Sequence, residues 1–374
     1  MSNFPNDEWS AWIALRLVKG VGNVTGLSLI EAFGGPRQVL EAGAQKLECS
    51  GVRRRVARGI ARFDDWGAVE TQLRRLDRVG GRLVTWHDES YPELLRHIHD
   101  PPMFLFVRGN LDEVAGEAAQ AIAVVGSRTP TSYGRRMARS LAAGLVEGGM
   151  TIVSGLARGI DAEAHEAALR AGGKTIAVLG CGIDVVYPGE HHHLMARTAK
   201  SGAVVSELGM GTQPDAENFP GRNRLISGMS IGTVVVEAAE RSGSLITAHF
   251  AAEQGREVFA VPGPVGNLSM GPHRLIRQGA GLVETANDVL NEVAPHLAVR
   301  ARRQGETLTI NEAAVLACVG DVPVGIDSVV QSCGLGVSST LEILLGLELR
   351  GLVRPLPGKC YALGEAARSS EKSE

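Results

Sequence analysis

Ala121-Ile122-Ala123-Val124-Val125-Gly126-Ser127-Arg128 decides the fold of this chain: an apolar run, a glycine-serine turn and a cation, with a helical pattern behind it. Further short apolar runs lie at 151–153, 175–179, 203–205, 233–236 and 257–261. They are rich in Val and Ile and apolar on both faces, as strands covered by helices on each side must be. Helical patterns at 133–147, 161–171 and 245–254 separate them. Strand, glycine turn and helix in alternation predict an α/β fold, a Rossmann-like doubly wound parallel sheet. Ligands of such sheets sit at the carboxyl ends of the strands.

Those ends carry phosphate chemistry. After the first strand comes Gly126-Ser127-Arg128, after the second Ser154-Gly155-Leu156-Ala157-Arg158-Gly159, after the third Gly180-Cys181-Gly182. Ser242-Gly243-Ser244 stands directly before a helix. Glycine admits a phosphate to the main chain, serine adds a hydroxyl, and a helix N-terminus offers unpaired N–H groups. One such turn is weak; four on one rim are a pattern. Arg128, Arg158, Arg222 and Arg224 are the candidate phosphate cations, and Asn223 is suited to a base edge. Neither a Gly-x-x-x-x-Gly-Lys-Ser/Thr loop nor the spaced dinucleotide fingerprint is present, which argues against a nucleotide triphosphatase. Asp161 and His165, four apart on one helix, could form a base with its orienter. No nucleophile or metal-ligand set accompanies them, and Asp161 suits a helix N-terminus, so the expected role is structural. No catalytic residue, metal or cofactor is expected.

The chain has 374 residues, room for two or three domains. A formal net charge of −3 excludes a surface that is basic throughout, so nucleic-acid contact must come from patches. Scarce aromatics argue against an RNA-recognition sheet that stacks bases. Cys49, Cys181, Cys318, Cys333 and Cys360 are scattered, which disfavours a disulfide framework and a zinc site and suits the cytosol. The first twelve residues are polar and mildly acidic, unlike a signal peptide, and no apolar run approaches the ~20 residues of a membrane span. The expectation is a cytoplasmic protein with no membrane partner.

Residues 1–82 read as a helical domain. Gly20-Val21-Gly22 between apolar helices resembles a helix-hairpin-helix turn, with a weaker copy at Cys49-Ser50-Gly51-Val52. The following helix carries Arg53, Arg54 and Arg55, then Arg58 and Arg62, candidate auxiliary DNA contacts. Strands at 83–86 and 103–107 lead into the core domain, 83–294. A linker over 295–306 holds Arg300, Arg302 and Arg303. Three helices and a hairpin over 307–364 predict a winged helix, followed by a polar tail, 365–374, expected to be disordered. Its third helix, 338–350, has Glu342 and Glu348 against Arg350 alone, which points to a protein-contact or dimer module rather than a duplex reader.

Several motifs then occur in a recognisable order: Val125-Gly126-Ser127-Arg128, Ser154 to Asp161, His165, Gly172-Gly173-Lys174-Thr175, Tyr187-Pro188, Ser206-Glu207, Phe219-Pro220-Gly221-Arg222-Asn223-Arg224, Ser242 to Ala248 and Val261-Pro262-Gly263. The stretch resembles the DprA/Smf family of DNA-processing proteins. The resemblance implies a single-stranded DNA-binding protein of natural transformation that protects incoming strands and helps load the RecA recombinase. It implies a homodimer through the Rossmann-like domain, and adds Lys174, Gly189 and His192 to the candidate DNA-binding residues. The family often has a lysine straight after its Tyr-Pro pair; here Gly189 and Glu190 are followed by His191, His192 and His193, which puts that contact in doubt. Imidazoles could replace it by charge at low pH or by stacking. The rival is a phosphoribohydrolase of nucleoside monophosphates with the lysine-decarboxylase-like fold. That family carries a Pro-Gly-Gly-x-Gly-Thr turn followed by a glutamate, whereas here no acidic residue follows Arg241-Ser242-Gly243-Ser244 until Glu253.

Overall fold

The computed structural model describes residues 8–111, 120–295, 310–320, 322–349, 352–358 and 360–364. Nine strands form the main sheet: β1 (Arg82–Thr85), β2 (Phe104–Gly109), β3 (Ala121–Gly126), β4 (Thr151–Ser154), β5 (Thr175–Val178), β6 (Ala203–Ser206), β7 (Gly232–Val236), β8 (Glu257–Ala260) and β9 (Gly281–Leu282). Their order is β1-β2-β6-β5-β4-β3-β7-β8-β9. From β6 to β9 every neighbour is parallel, while β1 and β2 add an antiparallel edge. The doubly wound sheet read from the sequence is present, extended by that edge and by the short β9.

Both faces of the sheet are covered because alternate residues of its strands feed two cores. Ile122 and Val124 pack with Ala138, Leu141 and Leu145 of the helix Ser132–Glu147. Ala123 and Val125 pack with Leu225 and Ile226 of Asn218–Gly228 and with Leu245 and Ala248 of Gly243–Glu253. This two-sided burial is what the unbroken apolar runs required.

Among the described residues six helices precede the sheet: α1 (Glu8–Leu17), α2 (Asn23–Phe33), α3 (Pro36–Glu41), α4 (Ala44–Cys49), α5 (Arg54–Ala61) and α6 (Trp66–Arg78). The turns between α1 and α2 and between α4 and α5 each use a left-handed glycine, Gly20 at φ +95° and Gly51 at φ +85°. Trp12, Ile13, Leu47, Ile60 and Leu76 share one core with Leu83, Phe104, Phe106, Leu179 and Ile183. The change from helices to strands near residue 82 therefore leaves the core continuous, and both belong to one compact unit ending at Ala301.

The second compact unit carries helices Ile310–Ala317, Ile326–Cys333 and Val337–Leu349 and a small antiparallel sheet, β10 (Val324–Gly325), β11 (Val353–Leu356) and β12 (Cys360–Leu363), in the order β10-β12-β11. Its last two helices meet at 109°, with Gly334 at φ +70° ending the first, a helix-turn-helix geometry. The predicted helices and hairpin are thus present, with β10 as a third strand. The linker residues 296–306, Arg350 and the tail 365–374 lie outside the described residues. Among the described residues no single helix is long and apolar enough to cross a membrane.

Candidate nucleic-acid interface

The chain runs outward from β3 through β4, β5 and β6, then crosses back to lay β7 on the other side of β3, so the carboxyl ends of β3 and β7 flank a topological switch point. A cleft of about 740 Å³ opens there. One wall is the turn Gly126-Ser127-Arg128, another is Arg241-Ser242-Gly243-Ser244, and Phe219, Arg222 and Asn223 close it. The turn is tight for a reason: a Cβ on Gly126 would lie 1.9 Å from the Val236 carbonyl oxygen. Ser127 is buried, and its Oγ accepts the Thr129 N–H at 3.1 Å.

The helix Gly243–Glu253 points its N-terminus into the cleft rim. Ser242 Oγ caps it, accepting the Ser244 N–H at 3.4 Å and lying 2.8 Å from Ser244 Oγ. Gly243 is exposed, and no atom lies within 4 Å of where its Cβ would stand. An anion here meets the positive end of the helix dipole, beside an N-terminal turn whose Ser244 N–H is held by the Ser242 hydroxyl.

Two exposed cations line the cleft beside this helix N-terminus. Arg128 lies over the Phe219 ring, 5.3 Å from its centroid, and Arg241 lines the opposite wall. Among the described residues neither makes an ion pair or a side-chain hydrogen bond. Phe219 also stands 5.8 Å from the Tyr187 ring, and Tyr187 is 38% exposed. Guanidinium and two rings form a platform on which a base can stack. Gly180 underlies it, since a Cβ there would come within 2.9 Å of the Phe219 ring.

The structure corrects the reading of Arg222-Asn223-Arg224. Arg222 is buried; its Nη1 donates to the Gly155 carbonyl at 2.8 Å and to the Val178 carbonyl, and its Nε to Asn223 Oδ1 at 3.2 Å. Burial pushes its pKa down to about 10, with Asp161 opposing. Asn223 Nδ2 donates to the Gly243 carbonyl at 3.1 Å, so both ends of that amide are committed. Arg224 faces away from the cleft and pairs with Glu207 and Asp100. Consecutive helix residues are about 100° apart, so three neighbours in sequence cannot share one phosphate-facing surface. Arg222 holds the β4 and β5 turns together, and Gly155 is a glycine because a Cβ would strike that guanidinium at 2.5 Å.

Other expected residues also scatter. Lys174 precedes β5, at the amino end of the strand and so on the rim opposite the glycine turns. Gly182 sits in a turn crowded by Asp184 and Gly209. Arg158 is exposed and forked onto Glu190, whose carboxyl it holds well below the ordinary range. Gly189 opens the short turn before the helix His192–Ser201. His191 Nδ1 donates to the Leu156 carbonyl at 2.9 Å, while His192 and His193 are exposed. Arg53, Arg54 and Arg55 are exposed at the start of α5, with Glu48 3.9 Å from Arg54.

Asp161 and His165 do not act as a pair. The Asp161 carboxylate accepts the Gly155 N–H at 3.1 Å and the Ala157 N–H at 3.4 Å. Burial raises its pKa, with Arg222 opposing most strongly. Thr175 gives its hydroxyl proton to the Ile152 carbonyl, so His165 Nδ1–H donates to Thr175 Oγ1, 2.6 Å away. Burial lowers the His165 pKa to about 3 and keeps the ring neutral. Among the described residues no group of three or more His, Cys, Asp or Glu side chains could hold a metal ion.

Sequence reasoning missed Arg241, the Tyr187–Phe219 platform and Glu237. Glu237, at φ +50°, accepts the Thr131 N–H at 2.8 Å and the Thr131 hydroxyl, tying the β7 end to the start of the helix Ser132–Glu147. Arg241 adjoins the serine-glycine turn, and that adjacency was the available signal.

Two family models match: DNA recombination-mediator protein A over residues 82–294 and the DprA winged helix domain over 299–359. Protein Smf of Escherichia coli is 42% identical over 310 residues, 80% of this chain and 82% of that protein. The X-ray structure of DNA processing protein A from Streptococcus pneumoniae superimposes with a TM-score of 0.67 at 39% identity, covering 76% of this chain and 98% of that one. DNA processing protein A from Helicobacter pylori, solved for its single-stranded DNA binding mode, gives 0.52 at 28% identity over 57% and 97%.

Proposed function

Because the chain belongs to the DNA recombination-mediator protein A family, we propose that it binds single-stranded DNA along the carboxyl rim of its sheet. The observation that carries this is Arg128, exposed and stacked on Phe219, facing the capped helix N-terminus at Ser242 across the cleft. A phosphate sits at the helix N-terminus beside Gly243, between Arg128 and Arg241, and the adjoining base stacks on Phe219 and Tyr187. Gly126, Ser127, Gly155 and Gly180 shape the floor. Arg158, Gly189 and His192 lie where the strand leaves the cleft, and Arg53, Arg54 and Arg55 add an auxiliary contact.

On this reading the protein acts in the cytoplasm in natural transformation. It protects incoming strands, helps load the RecA recombinase on them and works as a homodimer through the Rossmann-like domain. It is a binding protein and not an enzyme: Asp161, the carboxylate that lines the cleft, holds the Gly155 and Ala157 N–H groups through one oxygen, a structural use that disfavours the phosphoribohydrolase. Titrating labelled oligo-dT, a matched duplex and a nucleoside monophosphate at two salt concentrations tests the proposal. Oligo-dT should bind tightest and weaken steeply with salt. Duplex binding that is tighter at both salts, or steady release of free base from the monophosphate, would reject it.

A further inference from the structure

The helix Val337–Leu349 occupies the recognition position of a helix-turn-helix, yet its outward face is apolar and acidic. Val337, Leu341 and Leu345 recur every four residues and are 58%, 44% and 57% exposed. At that spacing they form one stripe. The fold does not need them. Thr340, Leu344 and Leu347, on the adjoining face turned to the core, are fully buried, and the two leucines pack with Val315, Val329 and Val353. Glu342 and Glu348 border the stripe, and the helix holds no Lys or Arg.

Charge decides the occupant. A helix that enters a DNA groove faces a dense row of phosphates and needs cations or polar base-reading groups. Pairing two copies of the stripe about a twofold axis would surround one apolar seam with four carboxylates and no cation from the helix Val337–Leu349. We propose that this face docks a basic amphipathic helix of a partner protein, with apolar residues on the Val337–Leu341–Leu345 stripe and Lys or Arg opposite Glu342 and Glu348. Side-by-side helices with an apolar seam and flanking ion pairs are a common mode of specific pairing.

The test uses the full chain and a labelled leucine–lysine model helix of about 18 residues, long enough to hold its structure. The unchanged protein should bind it, and a leucine–glutamate counterpart should not bind. Leu341→Gln with Leu345→Gln should weaken binding by roughly tenfold or more, as expected when central apolar anchors are removed. Glu342→Lys with Glu348→Lys should weaken it and remove its salt dependence. Leu341, Glu342 and Leu345 are exposed and Glu348 is half-buried, none of them in the core, so far-UV circular dichroism and oligo-dT affinity should stay as they are. The proposal is overturned if the peptide does not bind, or binds all variants alike. It is also overturned if the leucine variant dissolves a dimer or loses duplex DNA binding, since the face would then serve self-association or nucleic acid.

Discussion

Arg224 Nη2 stands 2.5 Å from Glu207 Oε2, and that same carboxylate oxygen accepts the Asn23 side-chain N–H at 3.3 Å. Asn23 begins α2 and also accepts the Met103 N–H at 3.4 Å through its Oδ1. One guanidinium thus links the helix that supplies Phe219 to the N-terminal hairpin, through a carboxylate at the end of β6. Arg224 is a tie between elements.

Replacing Arg224 by Ala should therefore act on stability. It leaves Glu207, 15% exposed in its side chain, facing a neutral amide with no cation beside it. Stranding one partner of a largely buried pair costs about 2–4 kcal/mol. Thermal melts should show a clear fall in Tm, while the folded protein should keep its oligo-dT affinity. A variant with normal Tm and lost affinity would return Arg224 to the DNA site.

Arg128→Ala should weaken oligo-dT binding by ~1–3 kcal/mol, the range for charge-assisted hydrogen bonds. Phe219→Ala should cost ~1–3 kcal/mol through lost stacking. Arg241→Ala should lower the salt slope by about 0.7, one phosphate on a single strand. All three melts should stay cooperative. Normal binding by a folded variant takes that residue out of the interface.

Gly243→Asp separates anion binding from folding. Nothing lies near the new Cβ, and a carboxylate at a helix N-terminus is stabilising by roughly 0.3–1 kcal/mol. The same charge repels a phosphate. Tm should hold or rise while oligo-dT affinity falls, and unchanged affinity would place the phosphate elsewhere.

His165 sets an acid limb of stability. Its folded pKa is near 3 against an ordinary 6.5, so between those values the unfolded chain binds the extra proton. Stability is complete above about pH 6.5 and falls as the pH drops toward 3, by on the order of 5 kcal/mol in all. Asp161 has the opposite sign: its raised pKa makes the folded state hold a proton harder, so stability declines as pH rises through the window above 3.8. Urea unfolding at pH 7 and pH 5 should show a loss in the unchanged protein that His165→Asn largely removes. An equal loss in both would mean another group controls the acid limb.

Arg53, Arg55 and Arg58 should set part of the salt dependence. Deleting residues 1–82 would be a poor test, because α1 to α6 share a core with the sheet and cutting them exposes it. Reversing the three arginines to Glu keeps the core and should make the salt slope shallower by about 0.7 for each phosphate that is no longer neutralised. Removing residues 302–374, a separate compact unit, should leave the slope unchanged. If that truncation flattens the slope more than the reversal does, the auxiliary contact is in the second unit.

Much of the fold was legible because buried parallel strands and glycine turns leave local marks, as in residues 121–128. The rim glycines Gly126, Gly155 and Gly180 were readable for the same reason. What sequence could not supply was strand order: only β3 lying beside β7 brings Arg241 opposite Arg128. Helix phase was the second gap, since Arg222, Asn223 and Arg224 adjoin in sequence and diverge in space. Lys174 was misplaced by strand polarity, a cation at the start of β5 being remote from one at its end.

The amide of Asn223 has consequences beyond its own hydrogen bonds. It was the side chain best suited to distinguish one base edge from another, and Arg222 and the Gly243 carbonyl occupy both its ends. A grip made of main-chain N–H groups, guanidinium and ring faces responds to what every nucleotide has in common. On the proposed reading such a grip takes little sequence information from the strand it carries, and any choice between related and unrelated DNA falls to a later step of base pairing.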